Sequence, residues 1–374
     1  MKRAPGALIA LFALAVLALA FVYPLAAPNG DAAALGWRDG IVAPLAWLLL
    51  AGAAWRALTP TVDARATLVF LAPCIGGAVA FAALPPSTGA AAVASGFWLA
   101  LLGALALAIV SVQRSAALAG SRLYGPLTAA LFGLWVLFFW QVGVTAFEVP
   151  RVLLPAPSAI IQSLLAQWDT LARDFVQTVL KAVLVGWALG SALGFLVGVA
   201  IDRLPFLQRG LLPLASLTSA IPLVAVAPIM VMWFGFEWSS KAAVVVLMTF
   251  FPMLIATLAG LRAAGRLELE LMHSYAAGYS RTLLDLRLPC AVPFIMSALK
   301  INATLALIGG IVAEFFGSPT VGLGFRISTE AARLNMPFVW GAIAVAAVSG
   351  SAAYALLVQL ERRWAFWHPS VRSA

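Results

Sequence analysis

The sequence predicts an all-α membrane protein, a polytopic helical bundle of about ten transmembrane helices. Its 374 residues are 63% hydrophobic and only 10% charged. A soluble domain carries about 25% charged residues, so this chain has too few charges to cover a water-exposed surface of its size. A lipid bilayer accepts such a surface, and a helix of about 20 apolar residues crosses it.

Ten apolar runs are long enough to be spans. They lie near 7–27, 41–58, 67–84, 92–112, 126–146, 178–200, 212–234, 241–262, 290–314 and 338–360. The first run has a second interpretation as a cleaved signal peptide, because Lys2 and Arg3 precede it and Ala26-Ala27 resembles a cleavage site. The chain continues directly into further spans, which favours an uncleaved anchor.

The basic residues predict the orientation. With a cytoplasmic N-terminus, fifteen of the 23 Lys and Arg residues fall on the cytoplasmic side and seven on the other, with Lys300 inside a span. Short cytoplasmic loops are enriched in Lys and Arg. An even number of spans with both termini in the cytoplasm follows.

The spans divide into two sections. Residues 1–120 hold four spans rich in Ala and Leu, and we interpret them as an N-terminal four-helix membrane extension. Residues 121–374 hold six spans and the longer loops, at 147–177, 263–289 and 315–337. Because long loops in compact domains are usually functional, we expect the second section to carry the function.

Several classes of function are excluded or disfavoured. The net charge of +9 comes from basic residues scattered between apolar runs, without the basic stripe of a nucleic-acid-binding protein, so nucleic acid is not an expected partner. The sequence has no phosphate-binding loop of the form G-x-x-x-x-G-K-[ST], so we do not expect the chain to bind ATP. His273 and His368 are far apart, and Cys74 and Cys290 lack metal-ligand spacing, so no metal or other cofactor is predicted.

The outer loop at 147–177 predicts an amphipathic helix. Apolar residues recur at helical spacing after Pro157, and Ser158 is a candidate N-cap. We expect this helix to lie on the outer membrane surface.

The span at 178–200 carries four glycines at a spacing of four, which form one stripe along the helix: Gly186, Gly190, Gly194 and Gly198. Small residues let membrane helices approach closely. The stripe predicts helix packing, either within the subunit or at a contact between subunits.

Four residues are candidates for a translocation path. Pro222 and Pro228 kink a membrane helix and free backbone carbonyls, which are costly in lipid and favour a watery cavity; a structural kink is the alternative. Lys300 is an ionisable residue within a span, although its side chain also has the length to reach the cytoplasmic surface. Glu314 ends the same span and is either pore-facing or interfacial.

The inner loop at 263–289 predicts a helix with one apolar face outside the membrane. Leu271, Tyr275, Tyr279, Leu283 and Leu286 recur every three or four residues. A short isolated helix is marginal in water, so this face needs a partner. Either a groove on another protein or the chain's own bundle fits this requirement.

The same loop resembles the cytoplasmic signature of permeases of ATP-binding-cassette (ABC) importers, which reads Glu-Ala-Ala, three residues, Gly, nine residues, Ile-x-Leu-Pro. The matching positions here are Glu270, Leu271, Met272, Ala276, Leu286, Leu288 and Pro289. Ala276 replaces the signature glycine, and we expect Gly278 to relax the turn instead. Further motifs resemble those of the importer permeases for nitrate, sulfonates, taurine and thiamine-pyrimidine precursors. They are Leu154-Pro155-Ala156-Pro157, Ile221-Pro222, Trp233-Phe234-Gly235, Ala313-Glu314-Phe315-Phe316 and Gly322-Leu323-Gly324-Phe325.

The resemblance implies a permease that is not itself an enzyme. It implies a homodimer, two cytoplasmic ABC ATPase subunits docked on the signature loops and a periplasmic substrate-binding protein. Residues Glu270 to Leu288 would form one coupling helix. The rival interpretations are a secondary transporter or channel without an ATPase, an intramembrane enzyme and a structural membrane protein. Charges for ion coupling and paired catalytic groups within spans are the features that would favour the first two, and the spans contain few ionisable residues.

Overall fold

Long apolar runs in a bilayer fold as helices because a helix satisfies its backbone hydrogen bonds within one segment. The computed structural model describes residues 6–25, 36–37, 41–59, 64–83, 94–118, 124–204, 206–207, 223–317 and 321–367. Across these ranges the regular structure is entirely helical, as the composition predicts. The helices are α1 Ala7–Val22, α2 Val42–Ala57, α3 Ala64–Ala82, α4 Ser95–Ala117, α5 Tyr124–Ala146, α6 Pro157–Ala166, α7 Trp168–Phe175, the π-helical segment π1 Val176–Val183, α8 Leu184–Arg203, α9 Leu223–Phe234, α10 Trp238–Leu261, α11 Arg266–Ser274, α12 Tyr279–Thr282, the π-helical segment π2 Leu283–Arg287, α13 Leu288–Gly317, α14 Leu323–Ala332 and α15 Met336–Trp364.

Seven stretches of the described chain are long and apolar enough to cross a membrane. They are Arg65–Ala82, Ser95–Ala117, Gly125–Ala146, Trp168–Arg203, Trp238–Leu261, Tyr279–Gly317 and Met336–Trp364. Shorter apolar helices stand at Ala7–Val22, Val42–Ala57 and Ala225–Phe234, where the other three spans are predicted. The all-α polytopic class is confirmed, and the number ten stays a prediction.

The chain folds as two compact units, Met1–Ser158 and Ala159–Ala374. The core of the first unit is built mainly from alanines and leucines of α1 to α4. These small residues bring backbones close: a Cβ on Gly103 would lie 2.7 Å from Leu17 Cγ. Helix α5 belongs to this unit because Trp135 Nε1 donates to Ser111 Oγ at 2.9 Å and Phe138 lies 6.2 Å from Phe81 between ring centroids. The two compact units therefore divide after residue 158, and the functional division at residue 120 stays a prediction.

The first unit also contains a buried arginine. Arg114, in the last turn of α4, lies 5.1 Å from the centroid of the Phe70 ring. Its Nη2 donates to the carbonyls of Ala57 and of Thr59 at 2.8 Å. A helix leaves its last carbonyls without internal partners, so Arg114 caps the C-terminus of α2.

In the second unit the glycine stripe of α8 packs against α10 of the same chain. All four glycines are buried. A Cβ at Gly186 would lie 2.8 Å from the Ala242 carbonyl oxygen, and one at Gly194 would lie 2.3 Å from that of Phe250. Because backbone oxygens of α10 lie this close to both glycines, the two helices are in contact along their length. The structure therefore has the intrasubunit packing, one of the two arrangements that the sequence left open.

Gly194→Ala is expected to destabilise the second unit by about 1–3 kcal/mol, the usual cost of overpacking a tight core. The added Cβ would lie 2.3 Å from a backbone oxygen that cannot rotate away. Thermal unfolding in detergent measures the loss. Gly133→Ala in α5 is the matched control, because a Cβ there meets nothing within 4 Å. If both variants unfold at the same temperature, the α8–α10 contact is not as close as described.

The segment 147–177 differs from the prediction. It forms two short helices, α6 and α7, and α7 continues through π1 into α8 as one apolar stretch. Ser158 is not the N-cap, since α6 begins at Pro157. The Ser158 amide instead donates to Gln141 Oε1 at 3.0 Å. Proline commonly occupies the first helical position, which explains a start two residues before the one that an N-cap at Ser158 predicts.

Candidate functional site: the coupling segment and two polar clusters

The inner loop, residues 266–288, is called the coupling segment below. Its first helix, α11, presents three large apolar side chains that are largely exposed: Leu267 (78%), Leu271 (55%) and Tyr275 (77%). They are four residues apart and lie on one helix face. Glu270 lies beside them and accepts a hydrogen bond from Arg266 Nε at 2.9 Å. No residue of α11 is buried, so the part of the chain that the structure describes leaves this apolar face uncovered.

The prediction of a single helix from Glu270 to Leu288 is wrong. Helix α11 ends at Ser274 because Ala276 has a left-handed backbone, with φ 50°. The Ala276 amide donates to the His273 carbonyl at 2.9 Å, and the Ala277 amide donates to the Met272 carbonyl at 3.0 Å. This pair of bonds is the Schellman motif, in which glycine usually occupies the left-handed position. Gly278 does not relax the turn, since its φ is −69° and it is the N-cap of α12.

Ala276→Gly is expected to stabilise this turn by roughly 0.5–1 kcal/mol. A left-handed residue with a Cβ costs about 1–2 kcal/mol, and the gain is reduced because glycine increases the entropy of the unfolded chain. Slower amide hydrogen exchange over residues 266–278 would report it. Ala277→Gly is the control, because Ala277 is outside the positive-φ residues and glycine there gives only the entropic loss. Equal effects of the two variants would contradict the left-handed assignment.

The second part of the coupling segment runs through α12 and π2 into α13. Leu283 and Leu286 lie in π2, and Leu288 and Pro289 begin α13. All four are half-buried, unlike the exposed face of α11. Pro289 has no N–H for the Asp285 carbonyl, which explains why the helical bonding shifts to a π pattern immediately before it.

An aspartate that sequence reasoning missed holds this second part in place. Asp202 Oδ2 accepts hydrogen bonds from Arg287 Nη1 at 2.7 Å and from Tyr279 Oη at 3.1 Å. The Arg203 guanidinium lies 5.5 Å from the centroid of the Tyr279 ring. The end of α8 and the start of α13 are therefore joined by an ion pair. The available signal was an acidic residue at the end of an apolar span.

The candidate pathway residues lie in different surroundings. Pro222 lies outside the described residues, and Pro228 is an exposed residue within α9. Lys300 Nζ donates to Glu361 Oε2 at 2.7 Å, so this span lysine has a carboxylate partner that the sequence did not reveal. Glu361 borders an apolar cavity of about 560 Å³ whose walls come mainly from α10 and α13, including Phe251, Pro252, Pro293, Phe294 and Ser297.

Glu314 is buried, and both of its carboxylate oxygens accept hydrogen bonds from other residues of the chain. Its Oε1 accepts from Thr178 Oγ1 at 2.7 Å, and its Oε2 accepts from the Gly324 amide at 2.7 Å. Gly322, with φ 140°, directly precedes α14, and a Cβ on Gly322 would lie 2.5 Å from the Glu314 carboxylate. A carboxylate at a helix N-terminus is favourable for the helix dipole. These contacts give Glu314 the role of fixing the start of α14.

Asp174 completes the polar cluster at α14. It accepts from the Gly322 amide at 2.9 Å and from Arg326 Nε at 2.8 Å. Lys241, in α10, is also buried. Its Nζ donates to the carbonyls of Phe236 at 2.6 Å, Glu237 at 3.1 Å and Gly317. Sequence motifs included Glu314 but gave no indication of Asp174, whose partners Gly322 and Arg326 lie far along the chain.

Residues 190–366 match the family described as binding-protein-dependent transport system inner membrane component. The formylaminopyrimidine transport permease protein ThiX of Halalkalibacterium halodurans is 30% identical over 240 residues, which cover 64% of this chain and 95% of that protein. The chain belongs to this family. The riboflavin transport system permease protein RibX of Chloroflexus aurantiacus is 30% identical, over 63% of this chain and 88% of RibX. The taurine transport system permease protein TauC of Escherichia coli is 28% identical, over 63% of this chain and 88% of TauC.

The chain is therefore the permease component of an ABC importer, a multi-pass protein of the inner membrane. The region matched by the family includes the glycines from Gly190 onward, the whole coupling segment and Glu314. The resemblance drawn from the coupling segment is thus confirmed at the level of the family. In this permease the signature glycine position is occupied by Ala276, which keeps the left-handed backbone that the turn requires.

Proposed function

We propose that this permease moves a small solute across the inner membrane, powered by a separate ABC ATPase subunit that docks on α11. The exposed face of Leu267, Leu271 and Tyr275 carries this proposal. Exposed apolar residues that cluster on a charged surface are characteristic of a protein contact. A helix laid into a groove on a partner buries such a face.

The proposal includes the orientation and the assembly. The distribution of Lys and Arg supports a cytoplasmic coupling segment and cytoplasmic termini. A second permease copy, an ATPase dimer and a periplasmic binding protein complete the importer that the family implies. ATP hydrolysis belongs to the ATPase subunit, because the sequence has no phosphate-binding loop.

The proposed substrate class is a small organic or anionic solute of the kinds named for the relatives. A pyrimidine-like or other nitrogen heterocycle comes first, since the ThiX and RibX permeases share 30% identity with the chain. Taurine and aliphatic sulfonates come next, with relatives at 28% and 26% identity. Nitrate belongs to the same sequence branch and completes the test panel.

Co-expression with the ABC ATPase and the binding protein from the same gene cluster tests the function. We expect the ATPase to co-purify with the permease, and membrane vesicles to take up at least one solute of the panel only with ATP and the binding protein present. A vesicle uptake that persists with a hydrolysis-deficient ATPase and follows an ion gradient would instead show a secondary transporter or channel. Failure of the ATPase to co-purify would contradict docking on α11.

We also propose that residues 1–120 are a membrane extension peripheral to the translocation path, and that residues 121–374 form the six-helix permease domain. The family match begins only at residue 190, which supports a transport function in the second section. Deletion of residues 1–120 is expected to retain ATP-dependent uptake at a reduced level, because α5 loses its packing partners in the extension. Loss of all uptake in a truncated permease that inserts and binds the ATPase would contradict a peripheral role.

A further inference from the structure

We propose that Asp202 is a positioning residue that transmits ATPase docking from the coupling segment to α8. The inference rests on the proposed function, because it requires an ATPase bound at α11. One carboxylate oxygen of Asp202 accepts hydrogen bonds from both Tyr279 and Arg287. We call this link between α8 and the coupling segment the Asp202 tie.

The surroundings of this ion pair make it stronger than the other pairs of the segment. The Asp202 side chain is 8% exposed and that of Arg287 is 26% exposed. The Arg266–Glu270 pair has 91% and 58% exposed side chains, and the Arg281–Asp285 pair has 78% and 58%. Exposed pairs contribute little because water and salt screen them. Removing one partner of a desolvated pair, in contrast, leaves a charge without compensation.

The two ends of this link belong to different parts of the fold, the coupling segment and α8. Arg287 immediately precedes α13, and Tyr279 begins α12 directly after the turn that ends α11. Asp202 lies in the last turn of α8, whose buried glycines hold it in backbone contact with α10. A closely packed interface transmits displacement instead of absorbing it. A displacement of the docked coupling segment therefore reaches the α8–α10 pair through Asp202.

The tie also explains why the coupling segment has a defined position although none of its helices α11, α12 and π2 buries a residue. Its side chains are at most half-buried, so polar contacts to the membrane helices contribute to fixing the position of the segment. In the described chain the Asp202 contacts supply this attachment for α12 and π2. Without these contacts, α11 would still bind the ATPase, but a displacement of the coupling segment would not be transmitted to α8.

Hydrogen exchange of the full permease, with and without its bound ATPase subunit, tests the inference independently of the substrate. In the unmodified permease, ATPase binding should slow amide exchange over residues 198–204 as well as over 266–287. We expect Asp202→Asn to keep the protection that ATPase binding gives residues 266–274. Over residues 198–204, the protection factor gained on ATPase binding should fall about tenfold, which corresponds to 1.4 kcal/mol. Asp202→Glu, which keeps the charge, should restore part of it, and Asp285→Asn, which breaks only an exposed pair, should behave as the unmodified permease.

Each outcome separates the inference from the function on which it rests. If no ATPase binds the unmodified permease, the proposed function fails and the inference fails with it. If the ATPase binds and protects residues 266–274 but leaves residues 198–204 unchanged, only the inference is overturned. It is likewise overturned if Asp202→Asn retains the full protection over 198–204. Exchange without the ATPase, compared between variants, measures any loss of basal structure and separates it from the response to binding.

Discussion

Replacement of Leu271 and Tyr275 together by alanine is expected to weaken ATPase binding by more than about tenfold. Truncation of anchor residues at protein interfaces commonly costs more than 1 kcal/mol each, and 1.4 kcal/mol corresponds to a factor of ten in affinity. Both side chains are more than half exposed and lie on one face of α11. Neither contributes to the folded core of the chain, so membrane insertion should stay normal.

The measurement is the amount of ATPase subunit recovered with the permease from the same membranes, together with the expression level. Leu165→Ala in α6 is the matched control, because Leu165 is 74% exposed but lies outside the coupling segment. A double variant of Tyr275 and Leu283, which also share the helical spacing, is less suitable because Leu283 is half-buried in π2. Normal expression with unchanged ATPase recovery from the double variant would refute docking on α11.

The sequence was sufficient to predict features that depend on local periodicity. The composition predicts the membrane class, and glycines at a spacing of four predict a close helix contact, which α8 and α10 make. The apolar residues that repeat at helical spacing in the inner loop predict helical structure there, and α11 and α12 lie in that loop. Each of these signals is contained within a few turns of one helix, where chemistry and spacing suffice.

The end of α11 could not be predicted because the decisive property is a backbone angle. Ala276 has no intrinsic preference for φ 50°, so only the observed bonds to His273 and Met272 reveal the turn. Glu148 and Leu334, at φ 50° and 60°, occupy the same left-handed position after α5 and α14. In all three motifs tertiary structure overrides the preference for glycine.

The polar clusters were missed for a different reason, the distance of the partners along the chain. Arg287 is 85 positions from Asp202, and Arg326 is 152 positions from Asp174. Single charges near span ends look interfacial when each is considered alone. The fold brings them together because charged groups in a bilayer are costly unless they are paired or reach water.

Asp174→Ala is expected to destabilise the permease by about 3 kcal/mol, the cost of breaking a buried ion pair by removing one partner. The variant leaves Arg326 without its carboxylate and the Gly322 amide without its acceptor. Asp174 is fully buried, so water cannot replace either bond without entering the packed interior. The start of α14 then depends on Glu314 and Thr178 alone.

Thermal unfolding of the purified permease in detergent, followed by tryptophan fluorescence, measures this loss. Asp169→Ala is the control because Asp169 lies on the same helix, α7, with an exposed side chain, and its contact to Arg173 uses only the backbone carbonyl. Asp174→Asn keeps an acceptor for the Gly322 amide but not the charge, so it should fall between the two. If the alanine variants at 169 and 174 unfold at the same temperature, the cluster does not hold α14. The graded order of Asp169→Ala, Asp174→Asn and Asp174→Ala would instead show that both the hydrogen bond to Gly322 and the charge opposite Arg326 stabilise this end of the permease.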